Sequence, residues 1–349
     1  MINSIQQIGL GVPDKDCAFR WIRKTFGMDV PIFDGEGEPI YMVDYTGNKV
    51  QRRHAILAAN LQGGSGFEIW QYLSRKPSSP QFTIQLGDLG IFMAKIKAQD
   101  AISAYRLLKG NDTEIPGEIS RDPAGKAHFF VKDPFGNIYQ VIEDEHWFKR
   151  GSWVTGGTCG CLIGVSDMDR SKLFYKEILG FDRVLYDEEG VFEDFTALPG
   201  GGEKVRRALL FSSKKPLGAF ARLIGPGQIE LVQSLNRKPR KIFAGRYWGD
   251  LGFIHLCFDV HDMQHLKKLC HGKGFPFTVD SDGPIDMDGA TGHFSYVEDP
   301  DGTLIEFVKI YTISIMKKIS WNLNLFKRDP AKPLPDWMIK LLSLGRVKD

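Results

Sequence analysis

The chain of 349 residues contains no apolar run long enough to cross a bilayer, which takes about 20 residues in a helix. Its start, Met1 followed by Ile5-Gln6-Gln7-Ile8, lacks the basic and apolar regions of a secretory signal. The formal net charge is only +2, so no bulk field favours nucleic acid or an anionic membrane. We therefore expect a cytoplasmic protein with neither nucleic acid nor membrane as a partner.

Several catalytic signatures are missing as well. The chain has neither a nucleophile elbow nor a dinucleotide-binding fingerprint, and its glycine-rich stretches at 63–66 and 200–202 lack the Lys-Ser/Thr pair of a phosphate loop. The five cysteines are an odd number without a regular framework, which predicts reduced thiols. Function must therefore come from the arrangement of other side chains.

What the chain does contain is an internal repeat. A strand ending before Asp14 is followed by a helix that stops at Gly27, 13 positions later, and the same pattern returns with Asp167 and Gly180, again 13 positions apart. Two further copies of a strand, a helix and closing strands complete the two halves. The pattern predicts four β-α-β-β-β modules. The segment after Ile310 belongs to no repeat and ends in a short amphipathic helix that is expected to pack on the body.

The two halves align without a gap through residues 71–90 and 233–252, and the motifs that follow can be matched in the same order. Met93 stands at the position of His255, and Gln140 stands at the position of Glu306. The second half therefore offers an imidazole and a carboxylate where the first offers a thioether and an amide, which are poor ligands for a hard metal ion. We expect the chemistry in the second half and a structural or substrate-shaping role for the first.

Strand alternation indicates which side chains of the second half point inward. Leu256 and Phe258 take the face against the helix, so His255 takes the concave face of the sheet. Glu306 lies in the closing strand of the fourth module, and Glu230 has the corresponding place in the third. His255, Glu230 and Glu306 are thus predicted to converge on one divalent cation.

Paired modules of this kind, the helix end Leu179-Gly180-Phe181 and the turn Asp299-Pro300-Asp301-Gly302 before a terminal Glu306 resemble the vicinal oxygen chelate superfamily. That group includes glyoxalases, bleomycin-resistance proteins and extradiol dioxygenases. The resemblance covers residues 5–310 and implies an α+β fold, in which four βαβββ modules pair into two domains with open-barrel mixed sheets. The expected division is an amino-terminal domain with a degenerate metal site (1–147), a carboxy-terminal domain with the candidate active site (156–311) and a tail (312–349).

The resemblance also implies a set of ligands from the first and last strands of the modules. The matching positions of the second half are Gly160, Glu230, His255 and Glu306, of which Gly160 cannot coordinate. The three side chains would hold a divalent ion (Fe, Mn, Zn, Ni or Co) and leave positions open for water or substrate. Tyr296 matches a Tyr of extradiol dioxygenases, and is expected either to present its hydroxyl to substrate or to pack in the core. The first half has Gln7, Glu68, Met93 and Gln140 at the same places.

The leading functional expectation is a glyoxalase-like lyase or isomerase that acts on a small molecule with neighbouring oxygens. His255 would anchor the metal ion, which stabilises an oxyanion, and Glu230 or Glu306 would move a proton. A ring-cleaving dioxygenase with an atypical iron site is the second hypothesis, although Gly160 replaces the first His of its usual triad. A metal-free small-molecule binding or resistance protein is the third. We expect a monomer or a homodimer.

Overall fold

The computed structural model describes residues 2–111, 113–286, 291–316, 321–326 and 328–347, and the four modules follow one another in the predicted order. The first module contains β1 (Ile2–Gly11), α1 (Lys15–Phe26), β2 (Val30–Gly37), β3 (Arg53–Ala59) and β4 (Gly66–Tyr72). The second contains β5 (Gly90–Ala98), α2 (Ala101–Gly110), β6 (Ser120–Arg121), β7 (Ala127–Lys132) and β8 (Ile138–Glu143). The third contains β9 (Thr155–Gly164), α3 (Met168–Glu177), β10 (Arg183–Gly190), β11 (Val205–Phe211), α4 (Ala221–Ile224) and β12 (Gln228–Ser234).

The fourth module and the tail complete the chain. The fourth module contains β13 (Gly252–Val260), α5 (Met263–Gly272), β14 (Val279–Asp280), β15 (Ile285–Asp286), β16 (Thr291–Glu298) and β17 (Leu304–Met316). The tail contains β18 (Trp321–Asn324) and α6 (Asp336–Leu341). Short 3-10 turns lie at Ile40–Tyr45, Glu193–Phe195 and Leu342–Gly345.

The helices begin and end where local chemistry requires. The Asp14 carboxylate accepts a hydrogen bond from the backbone N–H of Cys17 at 2.9 Å and so caps α1, and Asp262 caps α5 through the N–H of His265 at 3.0 Å. α1 ends at Gly27, whose φ of 65° lies in the left-handed region that favours glycine. None of the helices in the described ranges is long and apolar enough to cross a membrane.

The strands form two curled mixed sheets, and each sheet combines modules from both halves of the chain. The first has the order β14-β16-β17-β13-β1-β4-β3-β2, and the second has the order β10-β11-β12-β9-β5-β8-β7-β6. The antiparallel pair β1 and β13 lies at the centre of the first sheet, and β5 and β9 pair in the same way in the second. The sheets therefore do not follow the two chain halves, 1–147 and 156–311, that were expected from the sequence.

The connections after β4 and β12 explain this crosswise pairing. Each carries the chain from one sheet to the other, so the first module completes the fourth and the second completes the third. Strand alternation fixes which face of a strand is buried, but two modules with the same alternation can pair with a neighbour or across the chain. The repeat alone therefore could not distinguish the two arrangements.

The inward and outward faces of the strands agree with the predicted alternation. Leu256 and Phe258 of β13 and Phe307 of β17 lie in the main hydrophobic core. His255 and Glu306 project to the opposite, concave side, where their side chains approach each other. One face of the first sheet thus packs in the main core, whereas the concave face holds His255 and Glu306 beside a second apolar cluster that includes Trp248.

The tail packs on the body, as predicted. β17 continues beyond the repeat because β18 pairs with it in antiparallel register. The short helix α6 buries Ile339 against Val30 and Leu61 of the first module and Leu223 of the third. The tail therefore contacts modules that belong to different sheets.

Candidate metal centre

Three buried side chains meet on the concave side of the first sheet: Glu68 from β4, His255 from β13 and Glu306 from β17. One potential ligand atom of each lies within 4.8 Å of the others. His255 Nε2 is 3.1 Å from Glu306 Oε2 and 3.4 Å from Glu68 Oε2. The Gln7 amide of β1 joins them, with its Nε2 donating to Glu68 Oε2 at 3.3 Å. Four strands from two modules deliver these side chains to one place.

The facing atoms of this group are not satisfied by ordinary hydrogen bonds. The contact between His255 Nε2 and Glu306 Oε2 does not have the geometry of a hydrogen bond. Both ring nitrogens of His255 and Oε2 of Glu306 are therefore buried without a hydrogen-bond partner. Buried polar atoms without partners are rare and costly. One imidazole and two carboxylates are also the ligand types that divalent first-row metals accept. The residues present therefore fit a bound metal ion.

The surroundings hold the His255 ring in one orientation. Trp248 stacks on it with 6.4 Å between ring centroids, and Tyr296 meets it edge-on at 5.7 Å. On β1, a Cβ atom at Gly9 would lie under 3.0 Å from three atoms of the ring, so only glycine leaves space there. Burial lowers the pKa of His255, but the Glu306 and Glu68 carboxylates outweigh burial and raise it to about 9.

Tyr296 lies at this site, and its hydroxyl donates to Glu306 Oε1 at 2.7 Å. Burial, followed by the charges of Glu306 and Glu68, raises the pKa of Tyr296 well above its ordinary value, so the phenol remains a neutral donor. This bond occupies one oxygen of Glu306 and leaves the other directed toward His255. Tyr296 thereby fixes the orientation of a candidate ligand.

Glu230 does not join His255 and Glu306, and the predicted convergence of these three residues is not found. Glu230 lies in the second sheet, where its carboxylate contacts Lys95 Nζ and Arg207 Nε and accepts a hydrogen bond from the Tyr186 hydroxyl at 2.8 Å. Burial alone would raise the pKa of Glu230, but Arg207 and Lys95 lower it to about 2. Crosswise pairing is the reason, because it brings Glu68 rather than Glu230 to the fourth module.

The centre of the second sheet is closed by its own side chains. Met93 is fully buried in an apolar cluster, and the buried Gln140 amide has no hydrogen-bond partner. A side chain at Gly160 would collide with the carbonyl of Gln228. Lys95 and Arg207 supply the positive charge that balances Glu230. Within the described residues, the group around His255 is the only cluster of three or more such ligands.

A cavity of about 370 Å³ opens onto the group in the first sheet. Gln7, Glu68 and Glu306 line it beside Tyr296. Its walls include the aromatic rings of Trp70 and Trp248. Both carboxylates therefore face a space that is large enough for a small molecule.

From the sequence, His255, Glu306 and Tyr296 were predicted to belong to one site, whereas Glu68 and Gln7 were assigned to a degenerate site. The signal was present, because the repeat alignment puts Gln7 and Glu68 at the ligand positions of the first module. In their own half these residues stand with Met93, which made the set look incomplete. Only the pairing of β1 with β13 brings them to His255.

The fold and the site together define a class of protein in which paired βαβββ modules curl around one group of polar side chains. Four strands supply this group, which consists of Gln7, Glu68, His255 and Glu306. The family model of the glyoxalase/bleomycin resistance protein/dioxygenase superfamily matches residues 159–307, which contain the third and fourth modules. This match confirms the resemblance predicted from the sequence, and the two curled mixed sheets confirm the α+β architecture of four paired modules.

Two curated relatives cover part of the chain. A probable lactoylglutathione lyase of Vibrio parahaemolyticus is 26% identical over 154 residues, which are 42% of this chain and 86% of the relative. A lactoylglutathione lyase of Schizosaccharomyces pombe is 26% identical over 156 residues, and here the match spans only 45% of the relative and 42% of this chain. Lyases are thus among the proteins to which this chain is similar.

Solved structures extend the similarity over most of the fold. Glyoxalase I from Zea mays superimposes with a TM-score of 0.54 at 15% identity, covering 88% of this chain and 92% of that structure. A putative dioxygenase from Bacillus subtilis gives a TM-score of 0.51 at 12% identity, covering 88% and 85%. At such low identity these matches establish the fold alone.

Proposed function

We propose that the protein is a metal-dependent enzyme, a glyoxalase-like lyase or isomerase that acts on a small substrate with neighbouring oxygens. Gln7, Glu68, His255 and Glu306 would hold one divalent ion (Fe, Mn, Zn, Ni or Co). The observation that carries the proposal is the approach of three ligand atoms within 4.8 Å, with His255 Nε2 and Glu306 Oε2 lacking hydrogen-bond partners. The lyase names of the two curated relatives support the same class.

When bound, the metal ion would supply Lewis-acid stabilisation of an oxyanion formed from the substrate. The chain supplies the proton transfer. Glu306 faces the cavity and is oriented by Tyr296, so it is the candidate general base, and Glu68 lies across the group as the second carboxylate. His255, held by Trp248, stays in place as the anchoring ligand.

The ligand types favour this chemistry over ring cleavage. Non-haem iron oxygenases commonly use two His and one carboxylate. The group in the first sheet has one His, two carboxylates and the Gln7 amide. The dioxygenase hypothesis is therefore secondary, and oxygen uptake with catechols after anaerobic loading with iron tests it.

The deciding experiment measures the metal content of protein purified without chelators, in the parent chain and in matched variants. His255→Ala and Glu306→Gln should each lose the ion, whereas Met93→Leu, at the position equivalent to His255 in the second sheet, should retain it. Unchanged metal content in His255→Ala would contradict the proposed site. A parent chain that cannot be loaded with any first-row divalent ion would favour a metal-free binding protein instead.

A further inference from the structure

The tail differs from the rest of the chain in its charge. Residues 312–349 contain eight Lys or Arg and three Asp or Glu, a net charge of +5, so residues 1–311 carry −3 of the overall +2. The expectation that no membrane is a partner depends on the overall charge, which averages over this division. A locally positive surface therefore agrees with the small net charge of the whole protein.

Ion pairs with the body leave this positive surplus in place. Among the described residues, Arg346 pairs with Asp29 at 2.6 Å and Asp336 pairs with Arg222 at 3.1 Å. The first contact offsets a positive charge of the tail and the second offsets a negative one. The described contacts between the tail and the body thus leave the charge balance of the tail unchanged.

The tail also exposes large apolar side chains. Of the large hydrophobic residues in the described ranges, Phe326 and Leu344 are the most exposed, at 71% and 59%, and Trp337 is 57% exposed. Ile339 and Leu342 instead enter the apolar cluster that attaches the tail to the first and third modules. The tail is therefore a layer whose inner side chains pack on the body, while apolar groups on its outer side remain in water. Exposed apolar groups of this kind, next to charged ones, mark interaction surfaces.

Basic and apolar groups meet around Phe326. Its ring lies beside that of Tyr311, with 5.6 Å between the centroids, and Lys309 Nζ is 5.5 Å from the Tyr311 ring. A cavity of about 220 Å³ opens at this place, and Phe326 lines it together with Lys309, Arg328 and Lys332. Three basic side chains and an exposed aromatic ring thus surround one small cavity.

The acidic residues of the same cavity do not neutralise it. Asp329 lies 3.9 Å from Lys332 and offsets one positive charge. Asp259 is buried and accepts a hydrogen bond from the Asn3 amide at 2.7 Å, and burial raises the pKa of Asp259 to about 7. Near neutral pH its carboxyl therefore carries only about half of a negative charge. The three basic residues outweigh the acidic residues in the lining.

We propose that the tail is a docking surface for a membrane that contains anionic phospholipids. Phe326 and Trp337 would enter the interfacial region of the bilayer, where aromatic rings are favoured. Arg328, Lys332 and Lys340 would contact the phosphate and carboxylate groups of the lipids. Exposed aromatic rings and a basic surface reinforce each other in this kind of binding. The surface includes none of the candidate metal ligands, so the inference does not depend on the proposed function.

Sedimentation of the full chain with lipid vesicles tests the inference. At about 0.1 M NaCl, vesicles of phosphatidylcholine with about 30% phosphatidylserine should bind the protein about tenfold or more tightly than phosphatidylcholine alone, and about 0.5 M NaCl should weaken the binding. Equal binding to the two kinds of vesicle, or binding to neither, would overturn the inference. Retention on immobilised DNA without binding to vesicles would also overturn it, because the basic surface would then serve a nucleic acid.

Matched substitutions locate the surface. Phe326→Ser should weaken binding to the anionic vesicles about tenfold, because it removes an apolar group that the bilayer would bury. Val191→Ser, at an exposed apolar position of the third module, is the control and should bind as the parent does. Arg328→Glu should also weaken binding about tenfold or more, whereas Arg106→Glu, on an exposed face of α2, should not. Parent-like binding by both tail variants would contradict docking through the tail.

Quenching by brominated phosphatidylcholine provides a second readout, which does not depend on affinity. Bromine quenches tryptophan fluorescence only at short range, so binding should reduce the emission of Trp337. The variant Trp337→Phe should still sediment with the vesicles but should lose most of this quenching. Trp21→Phe, which removes a half-buried tryptophan of α1, should keep it. Quenching that stays unchanged in Trp337→Phe would show that another face of the protein contacts the bilayer and would overturn the inference.

Discussion

The carboxylate of Asp250 accepts a hydrogen bond from Arg75 Nη1 at 2.6 Å, and so links the connection before β13 to the connection after β4. Asp88 and Arg237, at the equivalent positions of the repeat, form the same contact at 2.6 Å. Both aspartates are almost fully buried, while both arginines keep about a fifth of their side-chain surface exposed. These reciprocal ion pairs tie together the two connections that exchange modules between the sheets.

Removing one arginine of this pair should destabilise the protein. We expect Arg75→Ala to lower the free energy of unfolding by about 2–4 kcal/mol, because it leaves the buried Asp250 carboxylate without its cation. Urea denaturation measures the change. Arg52→Ala, which removes an exposed pair with Glu36, should cost less than about 0.5 kcal/mol. Equal effects of the two substitutions would contradict a role for the buried contact.

Glu230 and Glu68 stand at equivalent positions of the repeat, but neutralising them should affect different properties of the protein. Glu230→Gln should lower the free energy of unfolding by about 3–5 kcal/mol, because Lys95 and Arg207 then remain buried without their anion. Its metal content should not change. Glu68→Gln should lower the affinity for the metal ion. Thermal unfolding and elemental analysis of both variants decide, and loss of metal in folded Glu230→Gln would argue against the assignment.

Asp259 should make stability depend on pH. Its carboxyl is buried beside the Asn3 amide, which donates to it at 2.7 Å, and burial raises its pKa from 3.8 to about 7. The native protein thus holds this proton to higher pH than the unfolded chain does, so the free energy of unfolding should fall between about pH 4 and pH 7.

Asp259→Asn, which mimics the protonated carboxyl, removes this contribution. Its stability should match that of the parent near pH 4 and exceed it at pH 8. Denaturant titrations across this range provide the comparison. Parallel curves for the two proteins would show that Asp259 does not hold its proton.

Gly9 should be required for the candidate metal centre. Gly9→Ala places a methyl group against the His255 ring, and we expect a loss of about 1–3 kcal/mol of stability together with a loss of metal. Gly190→Ala, on the edge strand β10, is the control, since nothing lies within 4 Å of a Cβ atom there. Retention of the metal at the parent level in Gly9→Ala would mean that the ring is not confined as described.

Local patterns in the sequence predicted the modules well. Residues close in sequence determine the helix caps at Asp14 and Asp262 and the inward face of β13. These features can therefore be predicted from the sequence. The placement of His255 and Glu306 on the concave side followed from alternation alone. Whether His255 binds a metal stays a prediction.

Which residues contact Glu230 and His255 depends on long-range contacts that no local pattern encodes. Lys95 lies far from Glu230 in the chain and on a strand of another module, so nothing in the neighbourhood of Glu230 indicates its buried partner. Likewise, Glu68 reaches His255 only because β1 pairs with β13. Long-range strand pairing therefore decided which carboxylate joined the imidazole.

The pairing of β1 with β13 has a consequence for synthesis on the ribosome. The first strand emerges about 250 residues before its partner, a delay of roughly 10–50 s at ordinary elongation rates. The two middle modules are complete earlier, so the second sheet can close while the first sheet still lacks six of its ten strands, β13 to β18. During that interval the edge of β1 is open to other chains, and crowded translation should favour aggregation of the nascent protein over that of the released one.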